Sequence, residues 1–316
     1  MTDQLAERTV AVLGFGNQGE AHALNLRDAG LEVVVGARAG GAGEARARAL
    51  GFPALDLAGA ASRAQVVAVL LPDEVVPALW PAFAPELAPD AALVFAHGYN
   101  LVHSALAFPA YGDVVLVSPT GPGRVLRRQV ERGDTLPGYL AVHQDRSGGA
   151  WDLAADYARR LGCAPVWRTT AREETEVDLF GEQAVLCGGM HALLTAAFEV
   201  LVGKGYAPEM AYLECIHQLT YLAELVHERG IAGTRRAISA TALYGDLTRG
   251  PRVVGEGARR ELEAMLDEIR DGSFAREWAA EVARGKVGLR ERADRAAAHP
   301  LEQARQRLFT AGGDGT

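Results

Sequence analysis

Two rhythms of apolar and polar residues divide this chain, and the change between them falls near residue 170. Before it, short unbroken apolar runs (Thr9–Leu13, Leu31–Val35, Val66–Leu71, Ala92–Ala96, Val114–Ser118 and Tyr139–His143) alternate with helical stretches. Strands that are apolar on both sides need cover on both faces, which a parallel sheet receives from its crossover helices. The first half is therefore predicted to be doubly wound α/β, continued by a helix over Trp151–Arg160 and a closing strand at Pro165–Arg168. From Glu173 to Phe309 apolar residues recur three and four apart instead: Leu186, Met190, Leu193 and Leu194, then Met210, Leu213, His217 and Tyr221. That spacing predicts an all-helical second half whose apolar face packs inward. Gly203–Pro208 and Gly230–Gly233 are the predicted helix breaks, and the small pair Gly188-Gly189 is read as admitting a neighbouring helix. Two domains follow, 1–170 and 171–310, with a disordered tail over 311–316.

Composition narrows the possible partners. The 316 residues carry a net charge of −8, so no basic surface is offered to a nucleic-acid backbone. Cys163, Cys187 and Cys215 lack the paired spacing of a zinc or redox site and read as buried thiols in a reducing compartment. The polar N-terminus shows no signal-peptide core, and no unbroken apolar run reaches eighteen residues. A cytoplasmic protein without a membrane partner is expected.

Chemistry enters first at Gly14-Phe15-Gly16-Asn17-Gln18-Gly19, which follows the first strand and opens a helical run over Glu20–Arg27. In that context the three glycines read as a dinucleotide fingerprint: Gly14 for the tight turn, Gly16 for approach of the pyrophosphate, and Gly19 for helix–sheet packing. Free N–H groups at the helix start face the negative charge. After the second strand, Arg38 is positioned to stack on adenine or hold a phosphate, while Glu44 is a late acceptor for a ribose hydroxyl. No serine or lysine supports Arg38 there, which tilts the reading towards NAD(H) over NADP(H).

The second chemical feature is a pair of carboxylates, Asp178 and Glu182, four residues apart at the head of the helical half. On one helix face their Cβ atoms lie about 5–6 Å apart, close enough to share a divalent cation or a proton. Ordinary solvated helix residues are the competing reading, and the apolar, glycine-rich sequence that follows argues against it. Glu214 and Gln218 repeat the spacing, with one member a neutral amide. An unpaired buried charge at Glu214 would be costly, so a ligand contact is expected there, whereas Gln218 either contacts substrate or merely hydrogen-bonds. His97 ends a strand, where a doubly wound fold places its ligand crevice. Ser239 is a functional residue or a helix cap. His191 and His217 read as core or surface residues, and Met210, Tyr212 and Tyr221 as packing.

Longer motifs carry a family resemblance: the glycine loop with Ala21-His22-Ala23-Leu24-Asn25-Leu26, then Leu71-Pro72-Asp73-Glu74, Phe95-Ala96-His97-Gly98, Gly121-Pro122-Gly123, and Asp178-Leu179-Phe180-Gly181-Glu182-Gln183. With Ala207-Pro208-Glu209-Met210, Tyr244-Gly245-Asp246 and Gly250-Pro251-Arg252, they make nearly the whole chain resemble the short form of ketol-acid reductoisomerase. The resemblance implies an N-terminal Rossmann domain, a knotted helical domain, and an intertwined homodimer with active sites shared between chains. It further implies two Mg²⁺ ions that bind a 2-hydroxy-3-keto acid, drive an alkyl shift and position the resulting 2-keto acid for hydride transfer. By motif match, Asp178 and Glu182 come from one protomer, and Glu214 and Ser239 from the other. His97 matches the histidine beside cofactor and substrate, and Leu71, Pro72 and Gly123 fall on cofactor-binding motifs.

Three departures from the family pattern stand out. Thr120 replaces a lysine that reaches the metal and substrate region, Gln218 replaces a glutamate, and the stretch after Ser239 (Ala240-Thr241-Ala242) loses an asparagine and a glutamate. Losing one cation and one anion leaves the local charge balanced, which suggests retuning for a different ligand. Mg²⁺ needs only one or two carboxylates beside water and substrate oxygens, so Asp178 and Glu182 suffice for one ion while the second loses support. The expectation is a reductase acting on a small keto acid or imine with a weakened isomerase step. The alternatives are an ordinary acetohydroxyacid isomeroreductase of branched-chain amino-acid synthesis and a non-catalytic NAD(P) sensor.

Overall fold

In the computed structural model, residues 3–309 are described, and the predicted tail over 311–316 lies outside them. The chain forms two compact units that meet between Val177 and Asp178.

The first unit alternates strands and helices: β1 Thr9–Leu13, α1 Asn17–Asp28, β2 Glu32–Gly36, α2 Ala42–Ala49, β3 Ala54–Leu55, α3 Leu57–Ala61, β4 Val66–Val69 and α4 Val76–Phe83. It continues with β5 Ala92–Phe95, α5 Tyr99–His103, β6 Val114–Pro119, α6 Gly123–Glu131, β7 Leu136–Gln144, α7 Ala150–Leu161 and β8 Cys163–Arg168. The eight strands form one sheet in the order β3-β2-β1-β4-β5-β6-β7-β8. Each predicted apolar run is a strand, and the two-residue β3 is an addition too short to show a rhythm. The uniformly parallel sheet needs one correction, because β7 pairs antiparallel with β6. A four-residue connection from α6 to β7 leads the chain back alongside β6, and the crossover helix α7 then restores parallel pairing with β8. Strand residues alternate between two cores. Val10, Val12, Leu126, Leu153 and Tyr157 fill one face, and Leu13, Val67, Phe83 and Leu93 fill the other. The order reverses between β1 and β4, the switch point where a doubly wound sheet opens a ligand crevice.

The second unit is helical. The helix α8 Ala171–Gly181, which starts in the first unit, runs through a π turn at Glu182–Leu186 into α9 Gly188–Gly203. Next come α10 Pro208–Tyr212, a second π turn at Leu213–His217, α11 Leu219–Ala237, α12 Ala240–Val253, α13 Glu256–Arg270, α14 Ser273–Ala283, α15 Val287–Ala297 and α16 Pro300–Phe309. Both predicted breaks are present: Pro208 opens α10, and Gly230, at φ +65°, kinks α11. Among the described residues of this unit, Phe198, Ala211, Tyr212 and Ala304 form a small core. The apolar face predicted to pack inward is largely bare within one chain: Leu186, Leu193, Met210, Leu213 and Tyr221 are exposed. The helix spanning 171–203 is long and apolar enough by composition to cross a membrane, despite the interruptions at His191, Thr195 and Glu199. Only 6% of its most apolar eighteen residues is buried. The cysteines also depart from expectation, since Cys163 alone is buried, Cys215 is half-buried and Cys187 is exposed.

Candidate active site

The nucleotide loop is built as its sequence predicts. Gly14 sits at φ +97°, and a Cβ there would lie 2.6 Å from the Leu70 carbonyl oxygen, so the turn admits only glycine. A Cβ on Gly19 would meet the Gly14 oxygen at 2.0 Å, whereas one on Gly16 would meet nothing within 4 Å. The loop is thus closed below and open above, as approach of a pyrophosphate requires. Gln18 Nε2 donates to the Gly121 carbonyl at 3.0 Å, while its Oε1 is buried with no partner. An orphaned acceptor beside the loop fits a ligand that brings a donor. Gly123 has a packing role, since a Cβ there would lie 2.0 Å from the Asn17 carbonyl oxygen and separate α6 from α1.

At the adenosine end, Glu44 is not a waiting ribose acceptor. Its Oε2 takes the Gly40 N–H at 2.7 Å and its Oε1 pairs with Arg48 at 2.8 Å, and these bonds hold its carboxyl below the usual range. Arg38 is exposed, and its guanidinium makes no bond among the described residues.

Next to the crevice, just beyond β5, the imidazole of His97 contacts one carboxylate and feels the charge of a second. Its Nδ1 faces Glu174 Oε1 at 3.3 Å, while Glu174 Oε2 accepts the Gly98 N–H at 2.8 Å. Glu174 is only 2% exposed, and it braces both the ring and the backbone that carries it. Asp73, which follows Leu71 and Pro72 beyond β4, accepts from Asn100 Nδ2 at 2.9 Å, and Ser104 Oγ donates to Asn100 Oδ1 at 2.7 Å. Burial raises the Asp73 carboxyl above its ordinary value, and the charge of His97 opposes that rise. The ring of Tyr99 stacks on His97 at 6.3 Å, and burial raises its phenol, helped by Asp73. Glu174 escaped the sequence reading because it stands 77 residues from the histidine it orients. No local spacing signals such a pairing.

Thr120 ends β6. Its backbone N–H and its hydroxyl both donate to the Pro137 carbonyl, each at 2.9 Å. The side chain that replaces a cation is therefore tied to the neighbouring strand.

In the helical unit, Asp178 and Glu182 fall on the last turn of α8 and the first residue of the π turn. Both are exposed within one chain, contrary to the buried setting expected for them. Glu214, inside the second π turn, is exposed as well, so desolvation within a single chain supplies no reason for it to bind a ligand. Gln218 Nε2 donates to Glu214 Oε2 at 2.7 Å, which assigns Gln218 the hydrogen-bonding role and occupies one carboxylate oxygen. Ser239 Oγ accepts from the Ala242 N–H at 3.2 Å and caps α12. Glu182 and Glu214 thus each sit on a π turn, a feature found frequently at functional sites in helices. The glycines after Cys187 follow from this, because a Cβ on Gly188 or Gly189 would lie 2.1 or 2.0 Å from the Gln183 or Ala184 carbonyl oxygen. The close approach they permit is by the helix's own widened turn. Among the described residues no three histidines, cysteines or carboxylates of one chain cluster tightly enough to hold a metal.

A switch-point glycine loop and a carboxylate-braced histidine beside its crevice are the marks of an oxidoreductase that binds a nicotinamide dinucleotide. Residues 4–166 match the NADPH-binding domain of acetohydroxy acid isomeroreductase, and residues 171–311 match the C-terminal domain of ketol-acid reductoisomerase. The chain belongs to the ketol-acid reductoisomerase family. It is 36% identical to an NADH-preferring ketol-acid reductoisomerase from an uncultured archaeon, with a TM-score of 0.95 over 99% of this chain and 97% of that one. Two further structures share the fold alone. A semialdehyde dehydrogenase NAD-binding protein from Cupriavidus necator has 19% identity, a TM-score of 0.64 and coverage of 84% of this chain and 99% of that one. The 1-pyrroline-5-carboxylate reductase of Streptococcus pyogenes has 12% identity, a TM-score of 0.56 and coverage of 84% and 98%.

Proposed function

We propose that this chain is a cytoplasmic NAD(P)H-dependent reductase that delivers hydride to a C=O or C=N of a small keto acid or imine, with a weakened isomerase step. The observation that carries the reading is the hydrogen bond from Gln218 to Glu214. Where the family pattern has two carboxylates, this helix offers one, and that one already accepts a bond from its neighbour. The donor set of Asp178 and Glu182 consists of hard oxygens and fits Mg²⁺. These two residues would hold one ion, completed by water, substrate oxygens and a second copy's Glu214. When bound, Mg²⁺ supplies Lewis-acid polarisation, and an alkyl shift needs it at two oxygens where a reduction needs it at one. Glu174 keeps the Nδ1 proton of His97 in place, which leaves proton exchange with substrate to the other ring nitrogen. Thr120, bound to Pro137, brings no charge to the pocket.

Two further parts of the reading rest on other features. NAD(H) is favoured because Arg38 stands in the loop without a lysine or serine beside it, and the Gly40 N–H of that loop is taken by the Glu44 carboxylate of α2. An intertwined homodimer, with active sites completed across it, is favoured by the bare apolar faces of α9 to α11. Free thiols at all three cysteines suit a reducing compartment.

Mg²⁺ counting tests the reading. With reduced cofactor present, the wild type is expected to bind one Mg²⁺ per chain and Gln218→Glu a second, with an increase of about tenfold in conversion of acetolactate. Two tightly held ions in the wild type would contradict the proposal. A working isomeroreductase would then be the better reading.

A further inference from the structure

A groove of about 400 Å³ runs between α1 and α6, starting at Gly16 and Asn17 and floored by Ala21 and Leu24. Three arginines of α6 line it. Arg127 is neutralised by Asp28 at 2.6 Å and Glu131 at 2.9 Å, and Glu20 on the opposite wall by Arg46 at 2.8 Å. Arg124 and Arg128 remain, one helical turn apart on the same face, and neither guanidinium makes a bond among the described residues. In a chain of net charge −8, two uncompensated guanidinium groups over a partly apolar floor form a place for an oxyanion. The groove is also tied to the nucleotide loop. Asn17 Oδ1 accepts the Arg124 N–H at 3.0 Å, and Gly123 lets the start of α6 pack directly against the Asn17 carbonyl.

We infer that this groove is an effector site for a small phosphate-bearing dianion, adjoining the dinucleotide crevice at Gly16 and Asn17 and coupled to it through Asn17. Arg124 and Arg128 clasp the two anionic groups, and Ala21 and Leu24 take the carbon skeleton. A second anion at the shared end of α1 opposes the cofactor's pyrophosphate, so each ligand weakens the other by the same factor.

Inorganic pyrophosphate is the probe, titrated by calorimetry into the full-length protein saturated with oxidised cofactor, with potassium chloride holding ionic strength constant. Binding is expected to persist in the presence of cofactor, and to weaken at least tenfold in Arg124→Gln/Arg128→Gln. That variant should keep the thermal midpoint and the pyrophosphate-free cofactor affinity of the wild type, and Arg128→Lys should retain most of the binding. In the wild type, pyrophosphate should raise the dissociation constant of the reduced cofactor. Three results would overturn the inference: no binding to the wild type, binding abolished by saturating cofactor, or binding unchanged in the double variant.

Discussion

Side chains of the N-terminal unit seal both faces of its own sheet, from Leu13 and Phe83 on one side to Leu126 and Tyr157 on the other. In the helical unit, Leu193, Val200, Met210 and Tyr221 lie on regular helices and face outward. Burying a large apolar side chain stabilises by about 1.5–3 kcal/mol, so a face of this extent is a standing drive towards association. The functional groups follow the same division. His97 arrives in a finished setting, with Glu174, Asp73 and Asn100 bonded around it. Asp178, on the last turn of α8, and Glu182 and Glu214, on the π turns, are left exposed within one chain. The first unit finishes the surroundings of its histidine by itself, and the second leaves its carboxylates open within one chain.

The largest effect should come from the bare face. Leu193→Asp places a charge where a second copy is proposed to pack, and the protein is expected to sediment as a monomer with no measurable turnover, while NAD(H) binding by the first unit persists. A variant that sediments like the wild type would remove association as the explanation for the exposed leucines and valines.

Changing the finished side gives a smaller loss. Glu174→Gln keeps an acceptor for the Gly98 N–H but turns an amide donor towards His97 Nδ1, which forces the ring into the other tautomer. A fall in kcat of about 10–100-fold is expected, with cofactor affinity within about threefold of wild type. Equal losses in both would mean that Glu174 only supports the fold.

The smallest effect concerns stability. His22 is fully buried against the Tyr157 hydroxyl at 3.0 Å, and burial lowers its pKa to about 3. The folded protein therefore keeps His22 neutral, while the unfolded chain takes up a proton below its ordinary value near 6.5. Stability from this residue is complete above about pH 6.5 and is lost as pH falls towards 3, by about 1.4 kcal/mol per unit. Between pH 7 and pH 4.5, denaturant unfolding of His22→Gln should lose about 2.5 kcal/mol less than the wild type. Equal losses would show that the carboxylates alone set the acid limit.

The contrast also explains what could be read from the sequence. Strands such as Val66–Val69 and the glycine loop are local patterns, written in consecutive residues. The brace from Glu174 to His97, the antiparallel β7 and the role of Gly123 under Asn17 depend on chain positions far apart, and periodicity is silent about them. The periodicity of Leu186 to Tyr221 was legible as helix, but it does not say whether the partner of an apolar face lies in the same chain. The π turns were hidden because the glycines they require at 188 and 189 also suit ordinary helix packing. Thr120 has a firmer reading. All but two of the 32 lysines and arginines are arginine, so a retained cation would be expected to appear as arginine. A threonine bonded to Pro137 stands there instead, as the proposed change of chemistry expects.

The central claim is that reduction survives in this chain while rearrangement is weakened, and offering one enzyme two substrates tests it most directly. Acetolactate requires both steps, whereas the already rearranged 3-hydroxy-2-keto acid requires hydride alone. With saturating Mg²⁺ and reduced cofactor, kcat/KM for the rearranged acid is expected to exceed that for acetolactate by at least about a hundredfold, some 2.7 kcal/mol of transition-state stabilisation. Equal values for the two acids would contradict the account.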